Sequence, residues 1–255
     1  MSLADHLREL RYRLIVSVLV IGVGAILAGV WYEPLYGVLM HPYQAAVDML
    51  ARSNPEIDTT TVISGVTAPF TLALTVCIVA GLVVTSPFWV YQLWAFVVPA
   101  LLVKEKKWAL AFIGAAVPLF LAGVLVGYYI LPQGISVLLS FTPQSVPVMN
   151  LLDVRQFLDL MLRLMVVFGL GFLMPVVVVG LNLIGVLKAK QLAKARTYVI
   201  FGTFVFGAAA TPSTDPFSML ALAVPMAVLY LIAEAIAHVH DRRALARTGD
   251  TAVTA

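Results

Sequence analysis

The sequence predicts an all-α membrane protein with six transmembrane helices. Apolar residues make up 62% of its 255 positions and charged residues 11%, and the mean hydropathy is +1.00. A soluble domain of this size does not need so apolar a composition. We therefore expect lipid to surround most of the chain. We expect one transmembrane domain over residues 1–240 and a disordered cytoplasmic tail over residues 241–255.

Four apolar segments are long enough to cross a hydrocarbon core of roughly 30 Å as helices: 14–31, 70–98, 108–131 and 157–187. Two more, 198–210 and 217–237, are separated by a polar stretch at 211–216 whose prolines end one helix and start the next. The fifth segment reaches only about 20 Å at 1.5 Å per residue. We expect this short helix and the sixth to lean on the fourth and to form a concave, glove-like bundle.

The distribution of lysine and arginine predicts the orientation. With the N-terminus in the cytoplasm, 13 of the 16 basic residues lie on the cytoplasmic side: Arg8, Arg11, Arg13, Lys104, Lys106, Lys107, Lys188, Lys190, Lys194, Arg196, Arg242, Arg243 and Arg247. The reverse orientation would place nearly all of them on the wrong side. Both termini are therefore expected to be cytoplasmic. The outer loops at 32–68 and 132–154 are expected to be packed caps, with disorder as the alternative.

The sequence offers no pattern for catalysis, metal binding or cofactor binding. The four histidines lie at segment ends without ligand spacing, and neither a Walker motif nor a dinucleotide-binding glycine pattern occurs. The predicted topology accounts for the positions of the basic residues along the chain, so nucleic-acid binding is not expected. A secondary transporter of small solutes is the alternative function. It would need polar residues at mid-membrane, which this chain almost lacks, and we find no internal repeat.

Two cytoplasmic segments carry polar residues that membrane anchoring does not fully explain. The first, at 5–14, places leucines on one helical face and leaves arginines and Glu9 at the interface. The second, at 87–107, runs through an aromatic belt into a basic stop signal. Anchoring explains the arginines, but it does not require an acid among them.

Several ordered motifs carry a resemblance to a known family: His6 to Leu14, Ser86-Pro87 to Phe96, Pro99-Ala100-Leu101 with Glu105-Lys106-Lys107, Phe168-Gly169 to Pro175, and Thr211-Pro212 through Asp215-Pro216 to Pro225. Over residues 3–243 the chain resembles the TatC family, the multi-spanning core of the twin-arginine protein translocase. The form of the motif at 211–219 resembles the actinobacterial branch.

The resemblance implies a receptor for twin-arginine signal peptides that exports folded proteins across the bacterial cytoplasmic membrane without enzymatic chemistry. The acids at the family's recognition positions are Glu9 and Glu105, which suit bidentate binding of guanidinium. Phe96, Pro99 and Leu101 would contact the hydrophobic part of the signal. Further candidates for partner or structural roles are Arg13, Gln92, Pro212 and Asp215.

The implied partners are twin-arginine precursors and the single-span TatA- and TatB-like subunits. The resemblance also implies membrane lipid as a partner, a homo-oligomeric complex and a proton-motive force that drives transport. For Asp215, the alternative to a role in partner binding is a structural one, in which its side chain caps the sixth helix. The number of copies in the complex and the identity of the precursors are not encoded in any pattern that we find.

The sequence departs from the family at two membrane positions. Leu173 and Leu231 stand where relatives often carry glutamate, and natural divergence and deliberate substitution are both open explanations. Intramembrane carboxylates are costly and usually functional, so their loss bears on transport competence. We expect Glu234, one turn beyond Leu231, to be a solvated acid; the alternative is that it partly substitutes for the missing glutamate. We expect Asp159 and Arg163, four residues apart, to form an interfacial salt bridge rather than part of a route for substrate.

Overall fold

The computed structural model describes residues 3–53, 59–97, 106–139, 150–183, 185–210 and 216–253. These residues form the helices α1 (Leu3–Val30), α2 (Tyr32–Ser53), α3 (Ala68–Val84), α4 (Ser86–Val97), α5 (Lys106–Leu139), α6 (Val154–Leu183), α7 (Ala189–Ala210) and α8 (Pro216–Val253), and the short strands β1 (Thr59–Val62) and β2 (Asn150–Asp153). The chain divides into two compact units, Met1–Gly169 and Leu170–Ala255.

Four of the described helices are long and apolar enough to cross a membrane, within α1, α5, α6 and α8. The pair α3 and α4 meets the same criteria together and makes a fifth span, bent by 63°. With α7, whose apolar part is short, these helices account for the six predicted spans. The protein is therefore an all-α, multi-pass membrane protein. Its described residues also form two short strands.

The bend between α3 and α4 corrects the expectation of one continuous helix over 70–98. Pro87 lies in the first turn of α4, where its missing N–H does not interrupt an established helix. The Thr85 hydroxyl donates to the Gly81 carbonyl at 2.7 Å, and the Trp89 indole donates to the Leu82 carbonyl at 2.8 Å. These bonds satisfy carbonyls at the end of α3 and fix the bend.

Glycines allow the helices of the first unit to approach closely. A Cβ at Gly81 would lie 2.5 Å from the backbone nitrogen of Ala25, so α1 and α3 are in backbone contact. A Cβ at Gly123 would lie 2.5 Å from the Phe168 carbonyl oxygen, which gives the same contact between α5 and α6. Small residues allow such close packing where lipid replaces water as the solvent.

The segment predicted as an outer loop at 32–68 contains a helix and a strand. The helix, α2, buries Leu39 and Tyr43, and the Val38 carbonyl accepts a hydrogen bond from Tyr128 of α5 at 2.7 Å. The described part of this loop is thus packed, as expected. The parallel pairing of β1 with β2, with Thr59 opposite Asn150, was not predicted.

Asp153, the last residue of β2, caps the N-terminus of α6. Its Oδ1 accepts the backbone N–H of Arg155 at 2.8 Å, as an N-cap carboxylate does. Partial burial disfavours the charged form, but hydrogen bonds from the Ser64 side chain and from the amides of Arg155 and Gln156 outweigh it. They hold the pKa of Asp153 below its ordinary value.

In the second unit, α7 packs along α8. The Tyr230 hydroxyl donates to the Leu192 carbonyl at 2.9 Å, and Ala189, Leu192, Tyr230 and Ala237 form a buried cluster. The α7 helix begins at residue 189 rather than 198, so the helix is longer than its apolar part. We expected a disordered tail over 241–255. Within the described residues, the α8 helix instead continues to Val253.

Candidate functional site

A polar cluster lies between the amino end of α1 and the carboxyl end of α4. Glu9 and Arg13 are four residues apart and therefore share one face of α1. Arg13 donates to Glu9 Oε1 through Nε at 3.0 Å and through a terminal guanidinium nitrogen at 2.6 Å. Both side chains are mostly buried, with exposed fractions of 22% for Arg13 and 20% for Glu9.

The α4 helix closes this cluster from the other side. The second terminal nitrogen of Arg13 donates to Gln92 Oε1 at 3.1 Å. Nearer the N-terminus of α1, and one turn beyond Gln92 on α4, the His6 ring stacks on Phe96 with a centroid distance of 4.6 Å and an interplanar angle of 18°. Arg13 and the ring pair thus connect α1 to α4 at two levels and fix the position of Glu9.

Only one oxygen of the Glu9 carboxylate accepts a hydrogen bond within the described residues. Its Oε1 atom accepts both hydrogen bonds from Arg13, whereas Oε2 is buried and has no hydrogen-bond partner among the described residues. A carboxylate has about four lone-pair sites and can accept a second guanidinium. Since an unsatisfied buried acceptor is unfavourable, Oε2 is a ready acceptor for a cationic donor.

Four of the residues singled out in the sequence come together here: Glu9, Arg13, Gln92 and Phe96. Glu105, Pro99, Leu101, Pro212 and Asp215 lie outside the described residues. The stacking of His6 on Phe96 was not predicted, because the histidines were assessed only for ligand spacing. The position of His6 offered a signal, since His6, Glu9 and Arg13 recur at three and four residues and so lie on one face of a helix.

Leu173 and Leu231, the two leucines expected at positions where relatives often carry glutamate, lie in the second unit. Leu173 of α6 is 5% exposed, and Leu231 of α8 is 42% exposed. The expectation that Glu234 is a solvated acid is wrong. Glu234 is buried in α8, and Arg196 of α7 donates to both of its carboxylate oxygens, at 2.9 and 2.6 Å. This pair was missed because its members are far apart in the sequence.

Comparison with known proteins identifies the family. The profile of the Sec-independent protein translocase protein TatC matches residues 5–225. The chain belongs to the TatC family. Among TatC proteins, that of Frankia casuarinae is 36% identical over 255 residues, which cover 98% of this chain and 69% of the relative. The TatC of Xylanimonas cellulosilytica is 35% identical, with 99% of this chain and 89% of the relative covered.

Solved structures show the same TatC fold. A crystal structure of the twin arginine translocase receptor TatC in DDM superimposes with a TM-score of 0.76 and 31% identity, covering 91% of this chain and 99% of the other. A second crystal structure of that receptor has a TM-score of 0.74. The resemblance inferred from the motifs is therefore confirmed over most of the chain.

Proposed function

We propose that this chain is the receptor for twin-arginine signal peptides and the core subunit of a Sec-independent translocase in the bacterial cytoplasmic membrane. The names of its TatC relatives support the translocase assignment, and the two similar crystal structures are described as a twin arginine translocase receptor. A secondary transporter of small solutes has no support from these relatives, and we do not retain it.

The single observation that carries the proposed role of the site is Glu9 Oε2, a buried acceptor that has no hydrogen-bond partner among the described residues. One arginine of the peptide would donate to Oε2 while Arg13 keeps Oε1. Such a charge-assisted hydrogen bond is strong where water is scarce. Because Arg13 already holds the carboxylate in place and is itself bonded to Gln92, little ordering of Glu9 would accompany binding.

A complete site would need more than Glu9. Glu105 would accept the other arginine of the pair, and Phe96 with Pro99 and Leu101 would contact the hydrophobic part of the signal. His6 would orient Phe96 through their stacked rings. The site would act by binding and assembly, so the chain would not be an enzyme and would need no cofactor.

The proposed partners follow from the same role. They are folded precursors with twin-arginine signal peptides, single-span subunits like TatA and TatB, membrane lipid and further copies of this chain. Both termini would face the cytoplasm, as the distribution of basic residues predicts, and the proton-motive force would drive transport. Pro212 and Asp215 would shape the turn before α8.

Leu173 and Leu231 stand where we expect relatives to carry glutamate. Their effect is measured as export by a strain that depends on this chain, with each leucine replaced by glutamate in turn.

The test of the binding site is crosslinking of the purified chain to a twin-arginine peptide that carries a photoreactive group. We expect Glu9→Gln to lower the yield strongly. Glu33→Gln is the matched control, because Glu33 is exposed on α2, and it should leave the yield unchanged. Equal yields for the unmodified chain and for a Glu9→Gln, Glu105→Gln double variant would refute the proposed site.

A further inference from the structure

The second unit contains an apolar groove along the carboxyl half of α8. Leu183 of α6 and the α8 residues Ile232, Ile236 and Val239 line it, and its volume is about 510 Å³. The polar lining residues, His240 and Arg243, both lie at its carboxyl end. The groove is therefore apolar along most of its length and basic at one end.

The groove fits within one leaflet of a membrane. Its apolar part on α8, from Ile232 to Val239, rises by about 10 Å, and half of a hydrocarbon core is about 15 Å. A transmembrane helix of a partner would need contacts over the whole core, about 30 Å. The groove thus suits the part of an acyl chain nearest the headgroup of a lipid from a single leaflet, and it is too short for a spanning partner.

The charges at the end of the groove favour an anionic headgroup. Arg243 is exposed, and its guanidinium can bind a phosphate group bidentately. His240 lies three residues before it, on the same face of the helix. Its Nδ1 is buried and lies 3.6 Å from Asp241 Oδ1, so Nε2 is the ring nitrogen that it offers to the same group. Asp241 also accepts hydrogen bonds from the Ala189 amide at 2.8 Å and from the Asn182 side chain at 3.1 Å.

We propose that this groove is a binding site for one anionic phospholipid of the cytoplasmic leaflet. An acyl chain lies between Leu183 and the apolar face of α8, and the headgroup phosphate contacts Arg243 and His240. We assign the lipid to the cytoplasmic leaflet because the positive-inside rule places the basic residues at the end of α8 at the cytoplasmic surface. The bound lipid would brace α8 against the end of α6.

The proposal is tested with the purified full chain, exchanged from phosphatidylglycerol or phosphatidylcholine of identical acyl chains into mild detergent. Native mass spectrometry then counts the retained lipids. We expect one phosphatidylglycerol per chain and much weaker retention of phosphatidylcholine. Arg243→Gln should weaken phosphatidylglycerol binding about fivefold, equal to about 1 kcal/mol. Ile236→Trp, which fills the groove and keeps its charge, should also reduce retention.

Arg242→Gln is the matched control, because Arg242 precedes Arg243, is also exposed and does not line the groove. It should retain phosphatidylglycerol as the unmodified chain does. Equal losses in Arg242→Gln and Arg243→Gln would show a general effect of surface charge and would overturn the proposal. Equal retention of the two lipids by the unmodified chain, or no effect of Ile236→Trp, would overturn it as well.

Discussion

Arg196 on α7 donates two hydrogen bonds to the carboxylate of Glu234 on α8, at 2.9 and 2.6 Å. The two partners differ in burial, since the Glu234 side chain is 4% exposed and that of Arg196 is 52% exposed. Removal of the exposed partner would leave a buried carboxylate without its ion-pair partner, whereas removal of the buried partner would leave a cation that reaches solvent or headgroups.

We therefore predict that Arg196→Gln lowers the thermal stability of the purified protein more than Glu234→Gln does. Differential scanning fluorimetry in one detergent measures both Tm values. The double variant should resemble Glu234→Gln, because it no longer contains an unpaired buried charge. Lys194→Gln, an exposed charge removed from the same helix, is the control. A larger loss for Glu234→Gln than for Arg196→Gln would contradict the structure.

The backbone contact between α1 and α3 gives a second prediction. Gly81→Ala should destabilise the protein by about 1–3 kcal/mol, because its Cβ would lie 2.5 Å from the Ala25 nitrogen and an overpacked site must shift its backbone. In Gly22→Ala the added Cβ meets no atom within 4 Å. That control should be neutral or more stable by about 0.5–1 kcal/mol, since alanine favours a helix. Equal effects in chemical or thermal unfolding would rule out the contact.

Acid should weaken the cap of α6. The pKa of Asp153 lies below its ordinary value of 3.8, so the folded state favours the carboxylate. Its contribution to stability is complete above that ordinary value and is lost as the pH falls through the lowered pKa. At neutral pH, Asp153→Ala should cost about 1 kcal/mol through the lost cap.

Thermal unfolding of the unmodified chain and of Asp153→Ala, measured from neutral pH to below pH 3.8, checks this prediction. The difference in Tm should narrow on acidification. Asp48→Ala, which removes an exposed acid from α2, should show little difference at neutral pH. A gap between the unmodified chain and Asp153→Ala that stays constant across the range would contradict the assigned cap.

Local patterns in the sequence were sufficient to predict the spans and one ion pair. Apolar length predicted the membrane spans, and the four-residue spacing of Asp159 and Arg163 predicted a salt bridge that forms at 2.7 Å. The resemblance likewise drew attention to Glu9, Arg13 and Gln92 before any contact between them was known. Each of these predictions depends on neighbours along one helix or on a motif.

Other features depend on contacts between distant segments, which spacing does not reveal. Glu234 was expected to be solvated because its partner Arg196 comes from another helix, and the β1–β2 pairing joins residues 59–62 to residues 150–153. The bend at Thr85 was missed because residues 70–98 are apolar on both sides of it. Hydropathy measures transfer into lipid but not the direction of the helix axis.

The proposed binding of a signal-peptide arginine by Glu9 is tested by a double-mutant cycle. Binding of a twin-arginine peptide and of its paired-glutamine analogue is measured by calorimetry with the unmodified chain and with Glu9→Gln. Hydrogen bonds to charged groups contribute about 1.5–3 kcal/mol, so Glu9→Gln should weaken the arginine peptide about tenfold or more and leave the weak binding of the analogue unchanged. An equal loss for both peptides, or no loss for either, would contradict the account.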